Sequence, residues 1–229
     1  MKLLSGPLSM YGAKAQIAVA EKGVECDVEM VPFSLKDRYS PTHPDVERLN
    51  PKRQVPVLMD GPVEIFDSTQ IFEYLEHKFP EPALWPAGIE ERAYARLMEL
   101  KADEIFFFNF NALIRAGGDT RIPEAKAAAA NMAAFYQDID RLLASRDYVA
   151  GSYSYADIAW FCASWFASFL GGGPDPALGH LAAWRTRISN RPAVSPVIGG
   201  LARSLAQNGI PVPKIEETVP PTGFEPVTP

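Results

Sequence analysis

Residues 50–75 have the sequence NPKRQVPVLMDGPVEIFDSTQIFEYL. Within this stretch, Asp60-Gly61 separates two short apolar runs, Val57–Met59 and Val63–Phe66. Both turn residues tolerate positive φ, so the pattern predicts a β-hairpin. The pair Asp67-Ser68 then begins a segment whose apolar side chains recur at helical spacing, which predicts a helix. A hairpin followed at once by a helix indicates a sheet that is covered by helices.

The segments before this hairpin alternate between strand and helix patterns. Lys2–Ser5 is a short apolar run, Gly12–Lys22 has helical spacing, and residues 26–31 alternate as in a strand. Residues 32–50 are polar and contain prolines, so a loop is expected there. Residues 1–80 are therefore predicted to form an α/β domain with the order β-α-β, hairpin, helix.

The rest of the chain shows helical patterns only. Prolines in the segment Phe79–Ala87 prevent a helix there, and residues 88–208 are predicted to form an all-α domain. It contains a long predicted helix over 90–113 and a helix over 154–169 that is apolar almost all round, which favours a central, buried position. Residues 209–229 are rich in proline and are expected to form a tail.

Composition and charge argue against several classes of protein. Hydrophobic residues make up 47% of the 229 residues, which is typical of a globular protein. The net charge of −6 argues against general binding to nucleic acid or to acidic membranes, and no apolar run reaches the roughly 18 residues that span a bilayer. Cys26 and Cys162 are far apart and the three histidines lack metal-ligand spacing, so neither a disulfide nor a metal site is expected. These features predict a cytoplasmic protein.

Ser9 is the first candidate for chemistry. It lies at the start of the first predicted helix, where backbone N–H groups and the helix dipole stabilise an anion. A hydroxyl at this position can donate a hydrogen bond to a thiolate and lower the pKa of that thiol, and Lys14 adds a positive charge one turn later. The alternative is that Ser9 only caps the helix.

Two further segments suit a peptide-like ligand. If the Val55-Pro56 bond is cis, the Val55 backbone faces solvent and can pair with an extended ligand; the alternative is an ordinary trans proline at the start of a strand. At the next helix start, the Ser68 hydroxyl and N–H groups suit a carboxylate and Asp67 suits an ammonium group. Here too, the alternative is a simple helix cap.

In combination, these segments resemble the glutathione transferase family from residue 1 to about residue 207. Four segments carry the resemblance: Ser9 with residues 15–23, residues 50–58 (similar to NPxxxVPxL), residues 67–75, and residues 154–159 (similar to the family's SxADI or TxADI motif). The spacing from Ser9 to Gly23 matches serine-type, theta- and zeta-like members. The last segment also predicts a capping box between Ser154 and Asp157.

The resemblance implies a thioredoxin-like N-terminal domain that binds glutathione as a co-substrate and needs no metal. Ser9 would be the catalytic residue and would donate a hydrogen bond to the glutathione thiolate. The Val55 backbone, preceding a structural cis-proline at Pro56, would pair with the cysteinyl part of glutathione.

The same resemblance assigns the two ends of glutathione. Asp67 and Ser68 would bind the γ-glutamyl end, with Gln54 as a weaker candidate. The glycine carboxylate has three candidate partners, which are His43, Arg38 and Lys52.

The second substrate is expected between the two domains, against the first helix of the all-α domain. Phe106, Phe107 and Phe110 are the candidates for an apolar electrophile pocket. An aromatic run at helical spacing serves equally well as core packing, so part of this run is expected to be buried. The resemblance also implies a homodimer.

The function that these residues imply is a detoxifying glutathione transferase, in which the thiolate attacks an apolar electrophile. A variant of the same chemistry is reductive cleavage by glutathione, as in dehalogenases and etherases. The alternative from another class is a non-catalytic binding or interaction protein with the same fold. Met10-Tyr11-Gly12 after Ser9 departs from the zeta-like pattern, so isomerisation of maleylacetoacetate is not expected. The lack of an active-site cysteine disfavours beta- or omega-like thiol transfer.

Overall fold

A four-stranded sheet forms the centre of the N-terminal domain in the computed structural model, which describes residues 1–40 and 42–213. The strands are β1 (Lys2–Ser5), β2 (Asp27–Met30), β3 (Val57–Asp60) and β4 (Val63–Phe66). The sheet order is β2-β1-β3-β4. β1 pairs parallel with β2 and antiparallel with β3, which forms the predicted hairpin with β4. Most of the predicted tail, residues 214–229, lies outside the described residues.

The helices of this domain are α1 (Met10–Glu21), α2 (Pro44–Leu49) and α3 (Ser68–Lys78). The short α2 corrects the loop that was expected over residues 32–50. Val46 is its one buried residue, and a single apolar contact gives no periodicity from which to predict a helix.

The all-α domain begins at residue 89, and its helices are α4 (Ile89–Leu100), α5 (Phe110–Arg115), α6 (Pro123–Leu143), α7 (Tyr155–Ser168), α8 (Gly179–Ser189) and α9 (Ser195–Gln207). The single helix predicted over 90–113 is interrupted. A π-helical turn, Lys101–Phe106, and a 3₁₀ turn, Phe107–Asn109, connect α4 to α5. Buried residues recur through the interruption every three or four positions, so the hydrophobic pattern does not reveal it.

One hydrophobic core runs through both domains. It joins Leu3 of β1 and Phe72 of α3 to Trp160 of α7, and all three side chains are almost completely buried. α7 packs against both α1 and α4, and the ring of Tyr155, its first residue, stacks on Phe72 with centroids 4.2 Å apart. The prediction that this helix is central and buried is confirmed.

The start of α7 has the capping box that the sequence predicts. Asp157 Oδ2 accepts a hydrogen bond from the Ser154 N–H at 3.0 Å, and the Ser154 side chain caps the helix in return. Asp157 Oδ1 accepts from Trp184 Nε1 at 2.9 Å and from the Val149 N–H at 3.0 Å. Burial raises the pKa of Asp157 to about 6, so this carboxylate ties α7 to α8 and to the preceding loop near neutral pH.

Within residues 1–40 and 42–213, no helix combines the length and the apolarity that crossing a bilayer requires.

Candidate functional site

A cleft of about 400 Å³ lies between the two domains. One wall comes from the loop before β3 and from the start of α3. The opposite wall comes from the end of α4 and from the π-helical turn. Most of the lining side chains are polar, and four of them are acidic: Asp67, Glu99, Asp103 and Glu104.

The α/β wall contains most of the residues that the sequence nominates for glutathione. Gln54, Val55, Pro56, Asp67 and Ser68 all line the cleft, although they come from two segments of the chain. The Val55-Pro56 peptide bond is cis, as the family resemblance implies. Val55 precedes β3, so its backbone lies outside the described sheet pairing and is available to an extended ligand.

Asn50 fixes the loop that carries Gln54 and Val55. Its Nδ2 donates to the Gln54 carbonyl at 2.6 Å, and its Oδ1 accepts from the Lys52 N–H at 2.9 Å. The Asn50 side chain is almost fully buried, and both bonds are partly shielded from water. A short loop is thereby held against the cleft without regular secondary structure.

Asp67 has an unusual backbone conformation at the start of α3. Its φ of 77° lies in the left-handed region, which is uncommon for residues other than glycine. Its Oδ1 accepts from the N–H groups of Thr69 and Gln70 at 3.1 and 3.3 Å, which caps the helix. The side chain is nevertheless exposed, and the next residue, Ser68, faces the cleft at the helix N-terminus, where an anion is stabilised.

Ser9 caps α1. Its Oγ accepts from the Gly12 N–H at 3.0 Å, so Ser9 does cap the helix, and Ser9 does not line the cleft. A contact between Ser9 and a thiol remains a prediction.

The hydroxyl-bearing residue of α1 that does line the cleft is Tyr11. Its hydroxyl donates a long hydrogen bond of 3.5 Å to the Asp103 carbonyl. Burial, followed by the negative charge of Asp103, raises the pKa of Tyr11 above its usual range. The phenol therefore stays protonated near neutral pH and can donate a hydrogen bond.

The structure does not bring His43 to the cleft. Its Nδ1 accepts from the Asp45 N–H at 3.2 Å and caps α2, and its Nε2 lies 3.2 Å from Glu29 Oε1. Of the three candidates for the glycine carboxylate, Lys52 lines the cleft, whereas His43 and Arg38 do not.

The three candidate phenylalanines do not line the cleft either. Phe106 is fully buried, with its ring centroid 5.1 Å from that of Tyr136. Phe110 stacks on Phe107 at 4.7 Å, and Phe107 meets the edge of the Tyr11 ring at 5.9 Å. Phe106 and Phe110 thus belong to the core and Phe107 is half-buried, and the wall that faces the cleft is acidic rather than apolar.

This wall contains part of a buried charge cluster, in which Glu99 and Asp103 line the cleft and pair with Lys14. Lys14 Nζ donates to Glu99 Oε1 at 2.9 Å and also to Asp103 Oδ2, and the Lys14 side chain is fully buried. Thr69 Oγ1 donates to Glu99 Oε1 at 2.7 Å. The expectation that Lys14 offers its charge to a thiol is therefore corrected, because two carboxylates already neutralise that charge.

The cluster shifts the pKa values of its members in different directions. Burial, together with the neighbouring Glu99 carboxylate, raises the pKa of Asp103 to about 7, although Lys14 opposes this shift. Burial also favours neutral Glu99, but Lys14 outweighs it and holds the pKa of Glu99 below its usual range. The two carboxylates thus differ in pKa, and Asp103 is the one that takes up a proton near neutral pH.

Sequence reasoning missed Glu99 and Asp103. They lie 85 and 89 residues from Lys14 along the chain, and two acids four positions apart on a helix usually indicate only a solvated face. Among the described residues, no group of three or more His, Cys, Asp or Glu side chains is placed to hold a metal ion.

Two family models match the chain. The model of the glutathione S-transferase N-terminal domain matches residues 3–83, and that of the C-terminal domain matches residues 97–192.

The individual relatives include proteins named for different functions. A stringent starvation protein A homolog of Coxiella burnetii is 34% identical over 113 residues, which cover 49% of this chain and 51% of that protein. The maleylacetoacetate isomerase of Rattus norvegicus is 33% identical over 147 residues, covering 63% of this chain and 64% of the isomerase. These matches thus span about half to two thirds of the relatives' lengths.

Among solved structures, a theta class glutathione S-transferase from Xanthomonas axonopodis pv. citri, with glutathione bound, has a TM-score of 0.70 and 26% identity. The match covers 85% of this chain and 95% of that one.

Asp103 should make the stability of the protein depend on pH. Its pKa is about 7 in the folded protein and about 4 in an unfolded chain, so the folded state binds more protons between these values. The stabilisation is fully present below about pH 4 and is lost as the pH rises through 7. Asp103→Asn should therefore lose less unfolding free energy than the wild type between about pH 5 and pH 8, measured by urea unfolding.

The matched control is Asp138→Asn on α6. Asp138 is exposed and pairs with Arg141, so this variant should keep the pH dependence of the wild type. If Asp103→Asn keeps it as well, Asp103 does not titrate in this range.

Proposed function

Because the chain belongs to the glutathione S-transferase family, we propose that it binds glutathione in the interdomain cleft and activates the thiol for attack on a small electrophile. The observation that carries this proposal is the convergence of Gln54, Val55, Asp67 and Ser68 on one cleft wall. A non-catalytic protein with this fold does not require these ligand-facing groups.

The proposed orientation of glutathione follows from the charges of this wall. The γ-glutamyl carboxylate binds the Ser68 hydroxyl and the N-terminus of α3, and the γ-glutamyl ammonium faces Asp67. The cysteinyl backbone pairs with Val55. Lys52 is the partner for the glycine carboxylate, since it is the candidate cation on the cleft wall.

Two hydroxyl groups of α1 are candidates for the hydrogen bond to the thiolate. Ser9 is the residue that the family resemblance assigns, and its Oγ is still free to donate while it accepts from Gly12. Tyr11 is favoured by its place in the cleft lining. Either hydroxyl would lower the pKa of the bound thiol.

Other functions on the same scaffold remain candidates. The maleylacetoacetate isomerase of Rattus norvegicus supports an isomerisation that uses the same thiolate. Reductive cleavage would use the same thiolate and a second glutathione, whose thiol attacks the first adduct and is oxidised with it to the disulfide. The stringent starvation protein A homologs support an interaction protein without turnover. A measurement of glutathione binding distinguishes the interaction protein from the other candidates, because only those candidates require bound glutathione.

We also propose that the protein is a homodimer. Several large apolar side chains are exposed on α4 and the following turns, among them Ile89, Leu97, Ile105 and Phe108. Phe108 is 70% exposed, which is unusual for a large aromatic side chain, and a second copy of the chain would cover it.

Light scattering tests the dimer. At micromolar concentration the mass should be twice the chain mass of 25.2 kDa, and Phe108→Glu should reduce it to that of one chain by placing a charge in the interface. A wild-type mass near 25.2 kDa would contradict the proposal.

Glutathione binding should depend on Ser68. Loss of a hydrogen bond to a charged carboxylate costs about 1.5–3 kcal/mol, so Ser68→Ala should raise the Kd about 10- to 100-fold in isothermal titration calorimetry. Ser145→Ala is the matched control, because Ser145 is exposed in the turn after α6 and should leave the Kd unchanged. If the wild type does not bind glutathione at millimolar concentration, the interaction-protein alternative is favoured.

The hydroxyl that stabilises the thiolate should be identifiable by substitution. Ser9→Ala and Tyr11→Phe each remove one donor, and the effective substitution should raise the pKa of bound glutathione by about one unit or more, equivalent to about 1.4 kcal/mol. The ultraviolet absorbance of the thiolate, followed against pH in each complex, gives that pKa directly. If neither variant changes the titration, the thiolate is stabilised by another group.

A further inference from the structure

Glu104 is an exposed carboxylate on the wall of the cleft. Within residues 1–40 and 42–213, its side chain forms neither an ion pair nor a hydrogen bond. Its negative charge is nevertheless one of the causes that raise the pKa of Tyr11. The charge of Glu104 therefore acts inside the cleft, and no side chain of the described residues neutralises it.

The other carboxyl groups of the cleft already have partners. Glu99 and Asp103 bind the buried Lys14. Asp67 caps α3, and in the proposed orientation it also faces the γ-glutamyl ammonium group. Glu104 is thus the acidic group of the lining that is left for a second substrate.

The charge balance of the cleft favours a positively charged ligand. Among the described residues that line it, four are acidic and Lys52 is the one cation, while the buried Lys14 adds a second ammonium group to the wall. Negative groups outnumber positive ones even when Asp103 is protonated. Bound glutathione adds two carboxylates and one ammonium group, and its thiolate adds a further negative charge. A second substrate therefore meets a negative potential.

Apolar surface is available beside Glu104. Leu100, four positions earlier in the chain, is exposed and also lines the cleft, and Tyr11 contributes an aromatic ring to the same lining. Ligand sites commonly combine apolar contacts with a few polar or charged groups that fix orientation. This combination suits a cation that is carried on an apolar body.

We propose that the second substrate is an electrophile with a positive charge, such as a quaternary or protonated amine, and that Glu104 is the residue that selects it. This inference rests on the proposed glutathione-dependent activity and names the substrate class of that site. Anionic electrophiles, such as unsaturated dicarboxylates, are disfavoured by the same charges.

The test uses three aryl chlorides that differ in charge. Each is the same chlorodinitrobenzamide, whose amide nitrogen bears a short chain that ends in trimethylammonium, in its neutral isostere tert-butyl, or in a carboxylate. In each reaction the glutathione thiolate forms a bond to the ring carbon, and chloride leaves with the electron pair of the C–Cl bond. The rate without enzyme, measured for each compound, corrects for differences in intrinsic reactivity.

The full-length wild type should prefer the cation. Its corrected kcat/KM should be about tenfold higher for the trimethylammonium compound than for the tert-butyl compound, because a positive charge is attracted by Glu104 and by the potential of the cleft. The carboxylate compound should be the slowest of the three. High salt should reduce the preference, since it screens exposed charges.

Two substitutions of Glu104 test its role in this preference. Glu104→Gln removes the charge and should lower the ratio of cationic to neutral kcat/KM from about ten to about two. Glu104→Lys should reverse the preference, so that the carboxylate compound reacts faster than the trimethylammonium compound. Turnover of the neutral compound shows that each variant is folded.

The matched control is Glu124→Gln at the start of α6. Glu124 is exposed and does not line the cleft. Glu124→Gln changes the net charge of the protein as much as Glu104→Gln does, and it should keep the ratio of the wild type. A general effect of net charge would instead lower the ratio in both variants.

A second measurement does not depend on turnover. Without its chlorine, the trimethylammonium compound cannot react, and isothermal titration calorimetry gives its Kd for the glutathione-loaded protein. This Kd should be about tenfold lower than that of the tert-butyl analogue in the wild type. In Glu104→Gln, most of the difference between the two analogues should disappear.

Several results would overturn the inference. These are equal corrected rates for the cationic and neutral compounds, a wild-type preference for the carboxylate compound, a preference that both substitutions of Glu104 leave unchanged, and equal Kd values for the two analogues in the wild type. In each case, turnover of the neutral compound would leave the proposed function intact. A wild type that turns over none of the three compounds would contradict the proposed function, and this inference with it.

Discussion

The burial of the Lys14 ammonium group is the constraint on which the rest of the structure depends. An ammonium group in the interior requires opposite charges with good geometry, and removal of one partner of such a pair typically costs about 3–5 kcal/mol. Both partners of Lys14, Glu99 and Asp103, belong to the all-α domain. The pairing therefore fixes α4 and the π-helical turn against α1, and it determines which side chains face the cleft.

The two walls of the cleft consequently differ in chemistry. The α/β wall consists of backbone and small polar groups, held in place by the buried Asn50 and by the helix cap of Asp67. The opposite wall is acidic because Glu99 and Asp103, which neutralise Lys14, also line the cleft. One electrostatic requirement of folding thus places a group with a pKa near neutral, Asp103, beside the proposed glutathione site.

Local signals made part of the molecule predictable from sequence. The hairpin and the capping box each depend on neighbouring residues, and the structure contains both. The cis bond at Val55-Pro56 was implied by the family resemblance and not by the residues around it. The partners of Lys14 were not predictable, since they are 85 and 89 residues away. The aromatic run was ambiguous, because helical spacing is the same whether Phe106 faces the core or a pocket. His43 was expected to bind the glycine carboxylate, but in the structure it caps α2. The polar loop around it has no pattern that predicts this short helix.

A crystal structure of the protein with bound glutathione tests the central claim most directly. We expect the γ-glutamyl carboxylate to bind Ser68 and the start of α3, and the cysteinyl backbone to pair with Val55. Bound glutathione should leave the ion pairs of Lys14 intact. A cleft without glutathione, or glutathione bound away from Ser68 and Val55, would contradict the claim.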